Sequence, residues 1–206
     1  MSAPPITSLA VDRQEAEAIC AAVRQADLSL LGPFHRLATR DHVAGLVALL
    51  SDPAVSDPIY DLPRPFTEQV ISDWIAEAQA RQAQGEAILA VTLDAQGAVS
   101  GYSYFTIWPD LSAAELAGAH RGDAQGQGKG KIGAARSFGW MFEHLGVRLI
   151  GLTAAKDNIR SARVIEAAGF VPRGERESVR ADGSIRVSLY WELTRDQWRR
   201  ALAVIT

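Results

Sequence analysis

The sequence predicts one domain of the mixed α/β class, and three observations lead to this prediction. Its 206 residues are 48% hydrophobic and 22% charged, which is enough apolar material for one sizeable core. Apolar residues recur at helical spacing up to residue 86 and in extended runs after it. The second half reads as a strand meander, then strand, helix, strand, helix and hairpin, an order typical of a mixed sheet flanked by helices.

Helices dominate the predicted N-terminal half. After residues 1–10, a proline-bearing segment that we expect to be loosely held, Asp12 and Glu15 form a capping-box pattern at the start of the first helix. A second helix begins at Thr39 and ends before a loop that contains four prolines. A third helix begins after Thr67, and its predicted buried stripe consists of Val70, Ile71, Trp74, Ile75 and Ala78.

The second half is predicted to supply the sheet. "AILAVTLD" and "AVSGYSYFTIW" form a hairpin around the turn "AQG", and "AAELAGAH" is a weaker strand because alanine has little strand preference. "VRLIGLTA" reads as a buried strand, and "GERESVR" with "IRVSLYWEL" as a last hairpin. Thr194 and Gln197 cap a final helix. Before the buried strand, a helix that ends at Gly146 carries apolar residues at helical spacing: Ala134, Phe138, Met141, Phe142 and Leu145.

Composition and charge exclude several classes of function. The net charge of −3 and the pI near 5.8 argue against binding to nucleic acid or to anionic membranes. The sequence shows neither a signal-peptide pattern nor an apolar run of roughly 18 residues, so we expect no membrane contact and a cytoplasmic protein. We expect no metal, because Cys20 is the only cysteine and the four histidines show no ligand spacing: His35, His42, His120 and His144.

A glycine-rich loop, "GDAQGQGKGKIG" at residues 122–133, precedes a predicted helix. Free backbone N–H groups at the positive end of a helix suit a phosphate or pyrophosphate. A P-loop is excluded because Lys129 is followed by Gly130 rather than by Ser or Thr. A dinucleotide fingerprint G-x-G-x-x-G begins at Gly128, but no apolar strand runs into it. Two interpretations stay open at this point, a Gln-x-x-Gly-x-Gly motif that begins at Gln125 and a plain surface turn.

A second block, "NIRSARVIEAAGF" at residues 158–170, follows the buried strand. Asn158 suits an N-cap and Gly169 a left-handed helix end, so the block is complete as a structural helix. Asn158 and Ser161 are three residues apart and share one side of the helix N-terminus. Polar groups at that position can reach a ligand held between the adjoining strands.

The two blocks together resemble the GCN5-related N-acetyltransferases, and specifically the branch that acetylates the N-termini of ribosomal proteins. The resemblance covers residues 28 to 198, is strong after residue 114, and includes "FE-x-LG" and the ending "LTRDQW". It implies a single acetyltransferase domain at residues 28–206, preceded by an N-terminal extension with a helix at residues 1–27. The implied fold is a central twisted sheet of about seven strands, mostly antiparallel with one splayed parallel pair.

The resemblance also implies acetyl-CoA as cosubstrate. In the family, backbone N–H groups of the glycine loop hold the pyrophosphate and the pantetheine arm lies beside the fourth strand. Carried over to this sequence, the strand contributes Ala117, whose N–H we expect to stabilise the oxyanion. The other implied cofactor-binding residues are Gln125, Gly126, Gln127, Gly128, Lys129, Gly130, Lys131, Asn158 and Ser161.

Candidate catalytic residues come from the same resemblance. Glu115 matches the strand glutamate that serves as general base in several relatives, and the alternative is that it faces solvent; His120 is a lesser candidate. Many relatives use a tyrosine as general acid where this chain has Ile165. That departure leaves Ser161, helped by Asn158, to hydrogen-bond the departing sulfur, or leaves the proton to water.

The predicted function is transfer of an acetyl group from acetyl-CoA to a primary amine by direct attack, with a protein N-terminal α-amino group as one candidate acceptor. Relatives often carry an aspartate where this chain has Arg186, so acceptor recognition differs. A non-catalytic acyl-CoA sensor on the same fold is the alternative, and a dinucleotide oxidoreductase is a distant third. We expect a monomer or a homodimer. The candidate residues for the acceptor site are four strand aromatics, and the alternative is that they belong to the core: Tyr102, Tyr104, Trp108 and Tyr190.

Overall fold

The structure is a computed structural model and describes residues 3–59, 61–121, 129–179 and 184–203. Its strands are β1 (His35–Leu37), β2 (Ala87–Leu93), β3 (Val99–Trp108), β4 (Ala113–His120), β5 (Leu149–Ala155), β6 (Val171–Val179) and β7 (Ile185–Thr194). Its α-helices are α1 (Arg13–Arg24), α2 (Val43–Leu50), α3 (Pro53–Ser56), α4 (Glu68–Gln84), α5 (Lys129–Trp140), α6 (Ile159–Ala167) and α7 (Arg195–Ala203). A π-helical turn, Met141–Leu145, continues α5.

The strands form one seven-stranded sheet in the order β1-β2-β3-β4-β5-β7-β6. Every neighbouring pair is antiparallel except β4 and β5, which run parallel. The predicted mixed α/β class, with a mostly antiparallel sheet and one parallel pair, is confirmed.

Local signals in the sequence mark the helix starts correctly. The side chains of Asp12 and Thr67 accept hydrogen bonds from backbone N–H groups three residues on, and Thr194 and Gln197 exchange bonds at the start of α7. Two details differ from the prediction. The helix expected from Thr39 opens with a 3₁₀ turn, and the proline loop contains α3, which begins with a proline whose fixed φ suits the first helical turn.

The two faces of the sheet pack against different helices. Successive strand residues point to opposite faces, so Phe105 and Ile150 pack on one face with residues of α1, α5 and α6, which we call the α5 face. Val91 and Tyr102 pack on the opposite face with residues of α2 and α4, which we call the α4 face. Within the described part of the chain, no helix is long and apolar enough to cross a membrane.

The N-terminal segment, residues 3–10, is not loose. The backbone N–H groups of Ile6 and Thr7 donate to Oε1 of Glu192 at 2.8 and 3.0 Å, and the Thr7 hydroxyl donates to Oε2. Farther along, Arg148 donates to the carbonyl of Ala10. The expectation of a loosely held segment was wrong because its partner is a buried carboxylate near the other end of the chain, which local composition does not reveal.

Candidate active site

A cleft opens in the middle of the sheet, between β4 and β5. The two strands pair only from Ala113 opposite Leu149 to Glu115 opposite Gly151, and then they part. β4 stays paired with β3 along its whole length, and β5 stays paired with β7. The separation therefore leaves residues 116–120 and 152–155 as the two walls of this β4–β5 cleft.

Glu115 lies at the vertex of the cleft, where the parallel pairing ends. Its side chain points to the α4 face and only 5% of the residue is exposed, so the alternative that it faces solvent is wrong. The Thr153 hydroxyl, on the opposite wall, donates to Oε1 of Glu115 at 2.9 Å. A carboxylate buried in an otherwise apolar strand is costly, and such groups concentrate at functional sites.

Tyr190 and Glu192 on β7 extend this polar cluster. The Tyr190 hydroxyl donates to Oε1 of Glu192 at 3.0 Å, and both residues are almost completely buried. Burial, followed by the nearby charge of Glu192, raises the pKa of the phenol. Burial would also raise the pKa of Glu192, but hydrogen bonds led by those from Thr7 hold that pKa below its ordinary value. Sequence reasoning missed Glu192, although an acid in the apolar run "SLYWEL" is the same signal that identified Glu115.

Asn158 and Ser161 lie at the start of α6, which follows β5 at the open end of the cleft. The Asn158 side-chain oxygen accepts a hydrogen bond from the Ser161 N–H at 3.0 Å, so Asn158 is the N-cap. α6 packs on the α5 face through Ile165, which is buried. Glu115 and the helix that carries Ser161 therefore lie on opposite faces of the sheet.

The backbone of β4 alternates between β3 and the cleft. The Arg121 N–H donates to the Ser100 carbonyl at 2.9 Å, in register with the β3–β4 ladder. In an antiparallel pair, the backbone groups of every second residue point toward the partner strand. Counting back from Arg121, the N–H and C=O groups of Ala117 therefore point toward β3, opposite Tyr104, and those of Gly118 point toward the cleft. The candidate backbone donor consequently shifts by one residue, from Ala117 to Gly118.

Other predicted residues lie apart from Glu115. His120 is on the opposite face of β4, near His35, and burial lowers the pKa of both rings. Tyr104 stacks on Trp74 with ring centroids 5.9 Å apart, and Tyr102 meets the same indole edge-on, so these rings pack against α4. Trp108 pairs with Ala113 at the closed end of the β4–β5 pair.

Arg186, at the position in the last hairpin where relatives often carry an aspartate, forms a hydrogen bond with the proline loop. Its guanidinium donates to the Pro58 carbonyl at 3.0 Å and lies 3.9 Å from a carboxylate oxygen of Asp157. It therefore links β7 to the loop that follows α3.

The predicted phosphate cradle is only partly described. Gln125, Gly126, Gln127 and Gly128 lie outside the described residues, whereas Lys129, Gly130 and Lys131 belong to the first turn of α5. Among the described residues, no group of three or more His, Cys, Asp or Glu side chains could hold a metal ion.

Comparison with known proteins identifies a family. Residues 34–171 match the family model of the acetyltransferase (GNAT) domain. No curated protein is similar enough in sequence to match the chain. The match to the family model spans more than half of the chain and includes β1 to β5, the cleft and α6.

Solved structures share the fold. Ribosomal-protein-S5-alanine acetyltransferase from Vibrio fischeri is 17% identical with a TM-score of 0.67, and the match covers 80% of this chain and 93% of that one. Spermidine N-acetyltransferase from Vibrio cholerae, solved with CoA and spermine, is 17% identical with a TM-score of 0.68 and coverage of 80% and 96%. RimJ from Mycobacterium smegmatis, solved with CoA-disulfide, is 17% identical with a TM-score of 0.69 and coverage of 82% and 88%.

Proposed function

The chain belongs to the GNAT acetyltransferase family, and we propose that it transfers the acetyl group of acetyl-CoA to a primary amine by direct attack of the amine on the thioester. The finer proposal is that the acceptor is the α-amino group of a protein N-terminus. The residues that we assign to this chemistry lie in the domain at residues 28–206, with residues 1–27 as an N-terminal extension.

The observation that carries the proposal is the buried carboxylate of Glu115 at the vertex of the β4–β5 cleft. An amine attacks only when it is neutral, so the site needs a group that accepts its proton. An α-amino group with a pKa near 8 needs less help than a lysine near 10.4, and a carboxylate acting directly or through one water suffices. We assign Glu115 this role of general base.

We assign backbone N–H groups to the two other negative charges of the reaction, on the thioester carbonyl oxygen and on the pyrophosphate. We assign the Gly118 N–H to the thioester carbonyl oxygen, because it faces the cleft just beyond the paired residues. The positive end of α5, which begins at Lys129, suits the pyrophosphate of acetyl-CoA, and residues 125–128 complete this proposed cradle.

The leaving group departs on the other side of the sheet. α6 packs on the α5 face, so an amine that arrives beside Glu115 and a thiolate that leaves toward Ser161 are separated by the cleft. We assign Ser161 to the hydrogen bond that stabilises the departing sulfur, with Asn158 holding the first turn of α6 in place.

The choice of acceptor class follows from the pKa argument above, and the names of the solved relatives suggest the competing class. One of them is named for an N-terminal alanine of a ribosomal protein and another for spermidine. A peptide α-amino group and a polyamine are therefore the two acceptors to compare.

The experiment measures release of the free CoA thiol with peptides that carry a free α-amino group, with the same peptides blocked at that group, and with spermidine. We expect turnover only with the free peptides and a higher melting temperature in acetyl-CoA. Glu115→Gln should lower kcat while leaving the acetyl-CoA shift intact, and Glu17→Gln, an exposed glutamate of α1, is the matched control. Stabilisation by acetyl-CoA without turnover on any amine would contradict catalysis and favour the acyl-CoA sensor.

A further inference from the structure

A chain of hydrogen bonds connects the N-terminal segment to the neighbourhood of Glu115. It lies on the α4 face and runs from Thr7 through Glu192 to Tyr190. Residues 3–10 precede the part of the chain that matches the GNAT family model, which begins at residue 34. Tyr190 and Glu192 lie after the matched part of the chain, which ends at residue 171.

Glu192 is the centre of this chain. Only 1% of it is exposed, and its Oε1 accepts from the N–H groups of Ile6 and Thr7 and from the Tyr190 hydroxyl. Its Oε2 accepts from the Thr7 hydroxyl, and Arg173 lies 3.0 Å from the same oxygen. Three of the five donors come from residues 6 and 7. A buried carboxylate needs such donors, so the N-terminal segment fixes the position of Glu192.

The Tyr190 hydroxyl is aimed at the vertex of the cleft. It lies where a side chain on Gly151 would be, since an ideal Cβ at that position would be 2.5 Å from the phenol oxygen. Gly151 is the strand partner of Glu115, and neighbouring strands are about 4.8 Å apart. The negative charge of Glu115 is close enough to contribute to the raised pKa of the phenol. Thr153, the strand partner of Tyr190, donates a hydrogen bond to Glu115.

We propose that the N-terminal segment, acting through Glu192, positions the Tyr190 hydroxyl as a second group, beside Glu115, that contacts the acceptor amine. The Tyr190 O–H donates a hydrogen bond to Glu192, so the phenol oxygen can itself accept a hydrogen bond from an N–H group. Two groups that accept hydrogen bonds, the phenol oxygen over Gly151 and the carboxylate of its strand partner Glu115, then lie at the vertex of the cleft, an arrangement that selects a group rich in donors such as an amine or ammonium. This inference rests on the proposed acetyl transfer.

Glu192 and Thr7 are positioning residues in this scheme, and Tyr190 touches the substrate. The Arg176 guanidinium lies over the Tyr190 ring, 4.1 Å from its centre, and adds a cation–π contact that helps to hold the ring. Loss of the Thr7 hydroxyl leaves the two backbone donors in place, so it loosens Glu192 without removing the N-terminal segment.

The test compares steady-state kinetics of the full chain carrying Tyr190→Phe, Thr7→Val or Thr7→Ser. The matched control is Ser188→Ala, which removes a buried hydroxyl of β7 that has no hydrogen-bond partner among the described residues. We expect Tyr190→Phe to lower kcat/KM for the amine about tenfold, the scale of one hydrogen bond to a charged group. Thr7→Val should lower it about threefold, with Thr7→Ser close to wild type. The KM for acetyl-CoA should stay unchanged in all four variants.

Two results overturn the inference while the proposed function stands. One is an active wild-type enzyme whose Tyr190→Phe variant has the same kinetic constants as Ser188→Ala. The other is a Thr7→Val variant that melts at a lower temperature but keeps wild-type constants for the amine, since a purely structural contact would behave so. A wild-type chain that acetylates no amine overturns the proposed function and this inference together.

Discussion

Replacing Gly151 with alanine tests the geometry at the vertex of the cleft directly. An added Cβ would lie 2.5 Å from the Tyr190 hydroxyl and 3.0 and 3.1 Å from two ring carbons, Cε2 and Cζ. Contacts this short force the phenol to move, and it is held by Glu192 and by Arg176. Overpacking of this kind costs about 1–3 kcal/mol. For a chain of this size, each kcal/mol lowers the melting temperature by about 2–4 °C.

Urea unfolding measures the cost, and two further variants locate its cause. Gly133→Ala, in α5 with no atom within 4 Å of the added Cβ, should be neutral or stabilising by up to about 1 kcal/mol. In a Tyr190→Phe background the 2.5 Å contact is gone and the two ring contacts remain, so Gly151→Ala should cost less there. A Gly151→Ala enzyme as stable as wild type, or a cost that is the same in both backgrounds, would show that the phenol does not lie over this glycine.

Three further predictions concern the site and its supports. Glu115→Gln should lower kcat by about a hundredfold or more, the low end of general-base contributions, with little change in stability, and an unchanged kcat would exclude it as the base. Because the pKa of Glu192 lies below its ordinary value of 4.5, its stabilising effect is present above that pH and is lost as the pH falls through the lowered pKa. The protection of the amides of residues 3–10 against hydrogen exchange, relative to the intrinsic rate at each pH, should fall there, and protection that stays constant down to global unfolding would refute this. Asn158→Ala should destabilise the protein by about 1 kcal/mol in thermal unfolding, whereas Asn158→Asp, which keeps the capping oxygen, should not; equal losses would contradict the cap.

Local features of the fold could be predicted because their causes are local. Asp12 and Thr67 cap helices through bonds to residues three positions on, and the β2–β3 hairpin follows from alternating residues around a short turn. The short helix α3 was missed although its signals are local, since Asp52 caps it and Pro53 begins it; the 3₁₀ opening at residues 40–42 was missed because the pattern of apolar residues does not distinguish it from the first turn of an α-helix. The parallel pairing of β4 with β5 came from the resemblance to a family, since periodicity does not determine which strands pair.

Part of the candidate site stood out in the sequence where a residue type was unusual for its element. Glu115 was an acid in an apolar strand for which a catalytic and a solvent-facing position were both open; its burial excludes the solvent-facing one, and its role as base stays a prediction. The cleft-facing donor was displaced from Ala117 to Gly118 because strand alternation depends on register, which a single sequence does not contain. Glu192 was overlooked because its partners, Ile6 and Thr7, come from the opposite end of the chain.

The bond between Thr7 and Glu192 also constrains the order of events during translation. The two residues are 185 positions apart, so residues 6 and 7 leave the ribosome long before the carboxylate that they bind has been made. Contacts of such long sequence separation form late and slow the final steps of folding. A nascent chain that stops before β7 is complete lacks the carboxylate that residues 6 and 7 bind, so the N-terminal segment is secured only after β7 has been synthesised.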